Sequence, residues 1–284
     1  KSRRTIVVAR DSRTSGEMFS KAVCAGIISR GCDVLDLGVI ATPTAMLAVE
    51  RMGAVGGIVI SASHNPAQWN ALKLVSHEGS FLDSEAMTAF LSSISEDSRD
   101  GVSGWDALGN YQSDEDACDR HIAEILELSV VDTEGLRERG FKVALDCVRG
   151  AGGVIMPTLL EALGCEVIAI HTEADGMFPR DPEPTAQNLT ELSHLVRSTG
   201  AEVGFAVDPD VDRLALVDEY GEPLGEDLTL AFATDVVLRH SPGTVVTNLS
   251  TSQVLEDVVK HHGGELIRTA VGEINVVRGM QRHS

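Results

Sequence analysis

Short β-branched runs alternate with segments of helical apolar spacing along nearly the whole chain. That alternation restricts it to an α/β fold with mostly parallel strands covered on both faces. Thr5–Ala9 reads as a strand. In Gly16–Ser29, residues Met18, Phe19, Ala22, Val23, Ile27 and Ile28 fall at helical spacing, and Gly31 stops the helix. Val34–Leu37 is the next strand, and Thr42-Pro43 reads as an N-cap with Pro at the first helical position. Gly57–Ile60 predicts a buried strand and Asp83–Ile94 an amphipathic helix. Three times a helix ends on Gly, a spacer, an acid and the start of a strand: Gly31-Cys32-Asp33-Val34-Leu35, Gly164-Cys165-Glu166-Val167-Ile168 and Gly263-Gly264-Glu265-Leu266-Ile267. The copies lie too far apart for a solenoid and suit a repeated α/β domain. Helix-Gly-strand junctions are also common in α/β proteins at large, so both readings stand.

The 284 residues allow about two domains of ordinary size or three small ones. Ser95–Asp116 is rich in Ser, Asp and Gly with little periodicity and reads as the end of a first domain. A second unit carries strands at Lys142–Asp146, Val167–Ile170 and Glu202–Val207, with a long Pro-containing loop over Asp175–Asn188. A third opens near Gly225 with helix Asp227–Leu238, strand Thr244–Leu249 and helix Ser252–His261, and ends in a helix over Glu273–Arg282. The expected division is 1–112, 113–222 and a partial domain over 223–284. The fold class is therefore repeated α/β domains with mixed, mostly parallel sheets covered by helices.

Charge narrows the partners. The net charge is −20 with histidine neutral, and an acidic surface repels nucleic acid and anionic lipid. Neither is expected as a main partner, and a phosphate ester would need a local basic pocket or a bound cation. No apolar run approaches the roughly 18 residues of a membrane span. After the basic Lys1-Ser2-Arg3-Arg4, the Thr5–Ala9 run is too short for a signal peptide. Five scattered cysteines, Cys24, Cys32, Cys118, Cys147 and Cys165, form no C-x-x-C and read as buried reduced thiols of a cytoplasmic protein.

Two loops carry chemistry, each after a strand, where ligands bind in α/β sheets. Ser61-Ala62-Ser63-His64-Asn65-Pro66 follows Gly57–Ile60 and presents a hydroxyl on a rigid turn. Ser63 is a candidate nucleophile or phosphate carrier, with His64 near enough to move its proton; a plain turn has the same composition. Asp208-Pro209-Asp210-Val211-Asp212-Arg213 follows Glu202–Val207, and its alternating carboxylates converge on one hard cation if the loop curls. A solvated acidic loop is the plain alternative. An EF-hand fails because Arg213 stands where the turn glycine belongs and strands flank the loop. A phosphatase with Asp208 as nucleophile and Asp210 as acid-base remains open. Gly150–Gly153 resembles a phosphate cradle but lacks its spacing and lysine. Asp146-Cys147 reads as a loop cap, and His121, His171, His194, His240, His261 and His262 as surface or helix residues without metal spacing.

Together the two loops resemble the α-D-phosphohexomutase superfamily, the phosphoglucomutases, phosphomannomutases and phosphoglucosamine mutases. Ser61–Pro66 matches its phosphoserine loop, and Asp208–Arg213 its D-G-D-x-D-R metal loop with Pro209 for Gly. Arg10-Asp11-Ser12-Arg13 with Ser15-Gly16, Lys73, and Val271-Gly272-Glu273-Ile274-Asn275-Val276 match further elements in order. Ser61-Ala62-Ser63 and the Pro209 variant look most like phosphoglucosamine mutases.

The resemblance implies a mutase that moves a phosphoryl group between the 1- and 6-positions of a hexose phosphate, glucosamine phosphate in particular, through phosphoserine and a bisphosphate. Phosphoglucomutase or phosphomannomutase specificity, or a non-catalytic sugar-phosphate-binding relative, are the alternatives. It implies Ser63, His64, Lys73 and Arg13 as catalytic residues, with His64 or Lys73 carrying the proton. One Mg²⁺ is expected on Ser63, Asp208, Asp210 and Asp212, and phosphate or substrate on Arg10, Asn65 and Arg213. Family members carry about four domains. The N-terminal arginine-bearing segment, the G-E-x-x-[GS]-[GH] sugar loop and the R-x-S-G-T phosphate loop have no match here. The chain is thus expected to be truncated at both ends and inactive in isolation.

Overall fold

The structure, a computed structural model, describes residues 4–94 and 101–283. Most of the basic start, Lys1–Arg3, and residues 95–100 of the Ser95–Asp116 segment lie outside the described residues. Eleven strands among the described residues form three sheets.

The first sheet holds β1 (Thr5–Arg10), β2 (Asp33–Val39), β3 (Gly56–Ile60), β4 (Leu72–Ser76) and β5 (Tyr111–Ser113) in the order β4-β3-β1-β2-β5. All neighbours are parallel except β3 and β4. The second holds β6 (Lys142–Asp146), β7 (Glu166–Ile170), β8 (Val203–Val207) and β9 (Leu214–Val217) in the order β7-β6-β8-β9, again with only the last pair antiparallel. Strand for strand, β1-β2-β3-β4 and β6-β7-β8-β9 have one topology. The third pairs β10 (Thr244–Asn248) with β11 (Glu265–Thr269) in parallel.

The repeated Gly-x-acid element has a structural cause. It joins α1 (Gly16–Ser29) to β2, α6 (Gly152–Ala162) to β7 and α9 (Gln253–His261) to β11, in each unit the first crossover helix to the strand it feeds. Gly31, Gly164 and Gly263 all have φ between 69° and 81°, the left-handed turn that ends a helix without a Cβ penalty. The acids start the register in the same place: Thr5 pairs with Asp33, Lys142 with Glu166 and Thr244 with Glu265.

Both faces of each large sheet are covered, as alternating side chains require. Val7 and Val59 pack with Ala45 and Val49 of α2 (Thr42–Arg51), whereas Val8 and Ile60 pack with Cys24 and Ile27 of α1. In the second sheet Ala144 and Ala206 meet Leu192 and Val196 of α7 (Thr190–Thr199), and Val143 and Leu145 meet Leu160 of α6. Ala41, Ile122 of α4 (Ala117–Leu126) and Ile155 form a smaller core that joins the two units.

Four sequence expectations change. β4 and β9 were hidden because an antiparallel edge strand has no crossover helix to announce it. Tyr111–Ser113, within the unpatterned segment, is β5; three exposed residues cannot show a period. The helix over α3 (Ser84–Ser93), capped by Asp83, buries none of its residues fully. Thr42 is not an N-cap: Ala41 holds that place and Thr42 lies inside the helix, with Pro43 after it.

Candidate active site

Ser63 follows β3 and Asp208 follows β8, so equivalent loops of the two sheets face each other. Ser63 has φ 49°, a conformation that non-glycine residues hold only when their surroundings fix it. Two fixtures are visible. Ser61 Oγ donates to Asp11 Oδ2 at 2.8 Å and accepts from Ser63 N at 2.9 Å. Arg13, 1% exposed, donates from all five guanidinium N–H positions. Nε reaches Asp11 Oδ2 at 2.9 Å, Nη1 the carbonyls of Pro66 and Trp69, and Nη2 those of Ser63 and Asn65 at 2.6 Å. No donor remains for a phosphate, so Arg13 is a positioning residue rather than the catalytic one expected.

The Ser63 hydroxyl donates toward Asp208 Oδ2 at 2.8 Å and Asp212 Oδ1 at 3.2 Å, and His64 Nδ1 is 3.4 Å away. Each carboxylate has one oxygen already engaged elsewhere. Asp208 Oδ1 accepts from Asp212 N and Arg213 N. Asp210 Oδ2 accepts from Lys73 Nζ and Thr42 Oγ1, each at 2.5 Å, and Asp212 Oδ2 from Lys73 Nζ at 2.9 Å. Asp210 Oδ1 is buried and receives no hydrogen bond while the aspartates are ionised; a protonated Asp208 donates to the Asp210 carboxylate.

A buried carboxylate oxygen without a partner is costly unless a cation or proton meets it. Among the described residues, Asp208, Asp210 and Asp212 can present oxygens within 4.8 Å of one another. This all-oxygen set fits a hard divalent cation such as Mg²⁺, and the residues present therefore fit the expected metal.

Charge is balanced differently without a metal. Burial, then Asp210 and Asp212, push Asp208 up to about 8. Burial also opposes charge on Asp210, but Lys73 and Thr42 outweigh it and hold that carboxyl below its ordinary range. Burial alone would lower Lys73; Asp210 and Asp212 outweigh it and raise it. Lys73 is thus a tethered ammonium among the carboxylates.

The remaining expected residues sit at the rim or brace the loop. Asn65 Nδ2 donates to the Ala62 carbonyl at 2.9 Å, and Arg10 Nη1 to the Asp11 carbonyl at 3.3 Å. Arg213 Nη1 pairs with Glu183 at 2.8 Å. Both line a cleft of about 620 Å³ on one side of Asp212. A second cleft of about 420 Å³ adjoins Thr42, Asp212 and Glu273, the last from α10 (Glu273–His283). Burial and then Asp212 raise the Glu273 carboxyl.

The rival chemistries lose ground. Asp212 leads into β9, so no helix flanks the loop as in an EF-hand. Both oxygens of Asp208 are engaged, unlike a free aspartyl nucleophile. Gly150 and Gly153 cradle no phosphate: a Cβ would lie 2.7 Å from Pro209 Cα and 1.9 Å from the Thr172 carbonyl. Asp146 is a loop cap, accepting from Val148 N at 2.9 Å. It also binds Arg180 and His171, so His171 is a paired residue rather than a loose surface one. The cysteines are free thiols; Cys24 and Cys147 are buried, but the other three are only half-buried.

Sequence reasoning missed Thr42, Asp11 and Ser61 as parts of the site. The Arg10–Arg13 and Ser61–Pro66 motifs contained the last two, but only the fold reveals their mutual bond.

Comparison with known proteins decides the family. Residues 1–100, 119–221 and 225–284 match the family models for phosphoglucomutase/phosphomannomutase alpha/beta/alpha domains I, II and III. The chain belongs to the phosphohexomutase superfamily. A "Phosphoglucomutase/phosphomannomutase" of Thermococcus kodakarensis is 39% identical over 97% of this chain and 60% of its own length. A "Probable phosphoglucosamine mutase" of Methanopyrus kandleri is 36% identical over 98% of this chain and 60% of its own. The crystal structure of a phosphoglucomutase/phosphomannomutase family protein from Burkholderia thailandensis superposes with a TM-score of 0.83 at 28% identity, covering 99% of this chain and 61% of that one. The chain spans about three fifths of the length of the curated relatives it matches. No helix among the described residues is long and apolar enough to cross a membrane.

Proposed function

We propose that this chain, as three units over 1–112, 113–222 and 223–284, carries the phosphoserine and metal loops of a cytoplasmic mutase. It would interconvert hexose 1- and 6-phosphates. The observation that carries the reading is the Ser63 hydroxyl, held between Asp208 at 2.8 Å and Asp212 at 3.2 Å. Asp208, Asp210 and Asp212, with an oxygen on phosphorylated Ser63, would hold Mg²⁺. Bound there, the cation neutralises charge on the transferring phosphoryl oxygens.

The phosphorus–oxygen bond to Ser63 breaks as one to the free sugar hydroxyl forms, and that hydroxyl's proton passes through His64 to the departing Ser63 Oγ. Of the two candidate proton carriers, His64 is the one in reach of Ser63 Oγ, whereas Lys73 is held as an ammonium by two carboxylates. The resulting bisphosphate turns, its other phosphoryl passes to Ser63 Oγ, and the Ser63 hydroxyl proton moves through His64 to the departing sugar oxygen. Arg13 and Asp11 supply the rigidity on which such transfer depends. Glucosamine phosphate is the preferred substrate on the relatives named for that activity. The 39% identical relative keeps glucose and mannose phosphates as a second reading.

The test is the first half-reaction. Phosphorylated chain is mixed with glucosamine 6-phosphate, glucose 6-phosphate or mannose 6-phosphate in Mg²⁺, and protein mass and sugar bisphosphate are followed. A single transfer without sustained mutase turnover is expected: loss of the phosphoryl group with stoichiometric bisphosphate, fastest for the glucosamine ester. Phosphate released to water at one rate with every sugar would favour the non-catalytic binding module.

A further inference from the structure

Thr42 lies in the first unit, where α2 begins, yet both of its polar donors are directed at the second unit. Its N–H donates to the main-chain carbonyl of Asp210 at 2.8 Å and its Oγ1 to Asp210 Oδ2 at 2.5 Å. Thr42 is 1% exposed and Asp210 fully buried. A first-turn amide has no partner within its helix, and here that amide holds the neighbouring loop. Since Ala41 occupies the N-cap place and makes no side-chain cap bond, the Thr42 hydroxyl has no capping duty.

Oδ2 is therefore saturated by Thr42 and Lys73, while Oδ1 of the same carboxylate is buried and, with the aspartates ionised as a cation requires, receives no hydrogen bond. We infer that Thr42 is a positioning residue for the metal loop: it fixes the rotation of Asp210 so that Oδ1 is the oxygen presented to the cation. It also ties that loop to the unit carrying Ser63. This rests on the metal reading above. Partners that orient a ligating carboxylate affect metal affinity without touching the metal.

The test compares Thr42→Val, which keeps shape and main-chain bond but loses the hydroxyl, with Thr42→Ser, which keeps the hydroxyl. Mg²⁺ and Ca²⁺ binding to the full chain are measured by calorimetry, with thermal stability recorded alongside. Thr42→Val is expected to weaken Mg²⁺ about tenfold or more, and Ca²⁺ less, because Mg²⁺ demands stricter geometry. Thr42→Ser should restore the parent value. Thr42→Ala serves in place of an unfolded valine variant, with the same expectation. Unchanged Mg²⁺ affinity, equal loss for both ions, failure of serine to rescue, or unfolding of both hydroxyl-free variants would overturn the inference. A parent chain that binds no Mg²⁺ would instead overturn the metal reading and take this inference with it.

Discussion

Arg13 Nη2 donates to the main-chain carbonyl of Ser63 at 2.6 Å, so the backbone of Ser63 is held by a buried guanidinium from the neighbouring β1 loop. The other four donors hold Asp11, Pro66, Trp69 and Asn65. Lysine cannot reproduce that planar fork. Arg13→Lys keeps a charge beside Asp11 but cannot reach all four carbonyls, so it is expected to cost about 1–3 kcal/mol for each carbonyl left without a donor and to abolish phosphorylation of Ser63. Urea unfolding and intact-mass spectrometry check both. A fully stable variant would mean that the carbonyls do not depend on Arg13.

Asp208 titrates near 8 in the folded, metal-free protein because it is buried beside two other carboxylates. Only its charged form binds a cation, so Mg²⁺ must displace the proton. Affinity should rise about tenfold per pH unit below 8 and level off above it. Considered alone, this raised group stabilises the metal-free fold most below its unfolded pKa, and that contribution disappears as pH rises through about 8. Calorimetry near pH 7 in buffers of differing ionisation enthalpy should detect proton release; its absence, with pH-independent affinity, would contradict the assignment.

Lys73 takes part of the cation's place among the carboxylates when no metal is bound. Lys73→Met should lower the melting temperature of the metal-free chain while enlarging the increase produced by Mg²⁺, since ligand binding stabilises by mass action. Melting curves with and without Mg²⁺ are sufficient. An unchanged metal-free melting temperature would show that the ammonium does not balance this cluster.

Gly150 lets the second unit's own loop lie against the Asp208–Asp212 loop. A Cβ there would be 2.7 Å from Pro209 Cα, backbone that cannot swing aside. Gly150→Ala should therefore shift Asp208–Asp212 and weaken Mg²⁺ binding, measured by calorimetry. Parent affinity in this variant would show that the loop has slack.

The sequence made the parallel framework legible because strand runs and left-handed glycines report on local backbone, and those are local causes. Gly31, Gly164 and Gly263 even marked the repeat. The antiparallel strands Leu72–Ser76 and Leu214–Val217 were not legible, since each is a short edge run without a following crossover. Ser63 and the three aspartates stood out as motifs. What Arg13 and Thr42 do could not be read, because it depends on which carbonyl or carboxylate a distant loop brings within 3 Å. Thr42-Pro43 has the composition of a helix start, and only tertiary contact redirects that hydroxyl to Asp210.

On this reading Ser63 is the phosphoryl carrier of a metal-dependent site. The most direct test is intact-mass and peptide analysis of the chain after incubation with a hexose 1,6-bisphosphate, with Mg²⁺ or with EDTA. One added phosphoryl group is expected, mapped to Ser63, formed with Mg²⁺, suppressed by EDTA and absent from Ser63→Ala. Phosphate on another residue, or equal phosphorylation of Ser63→Ala, would contradict it.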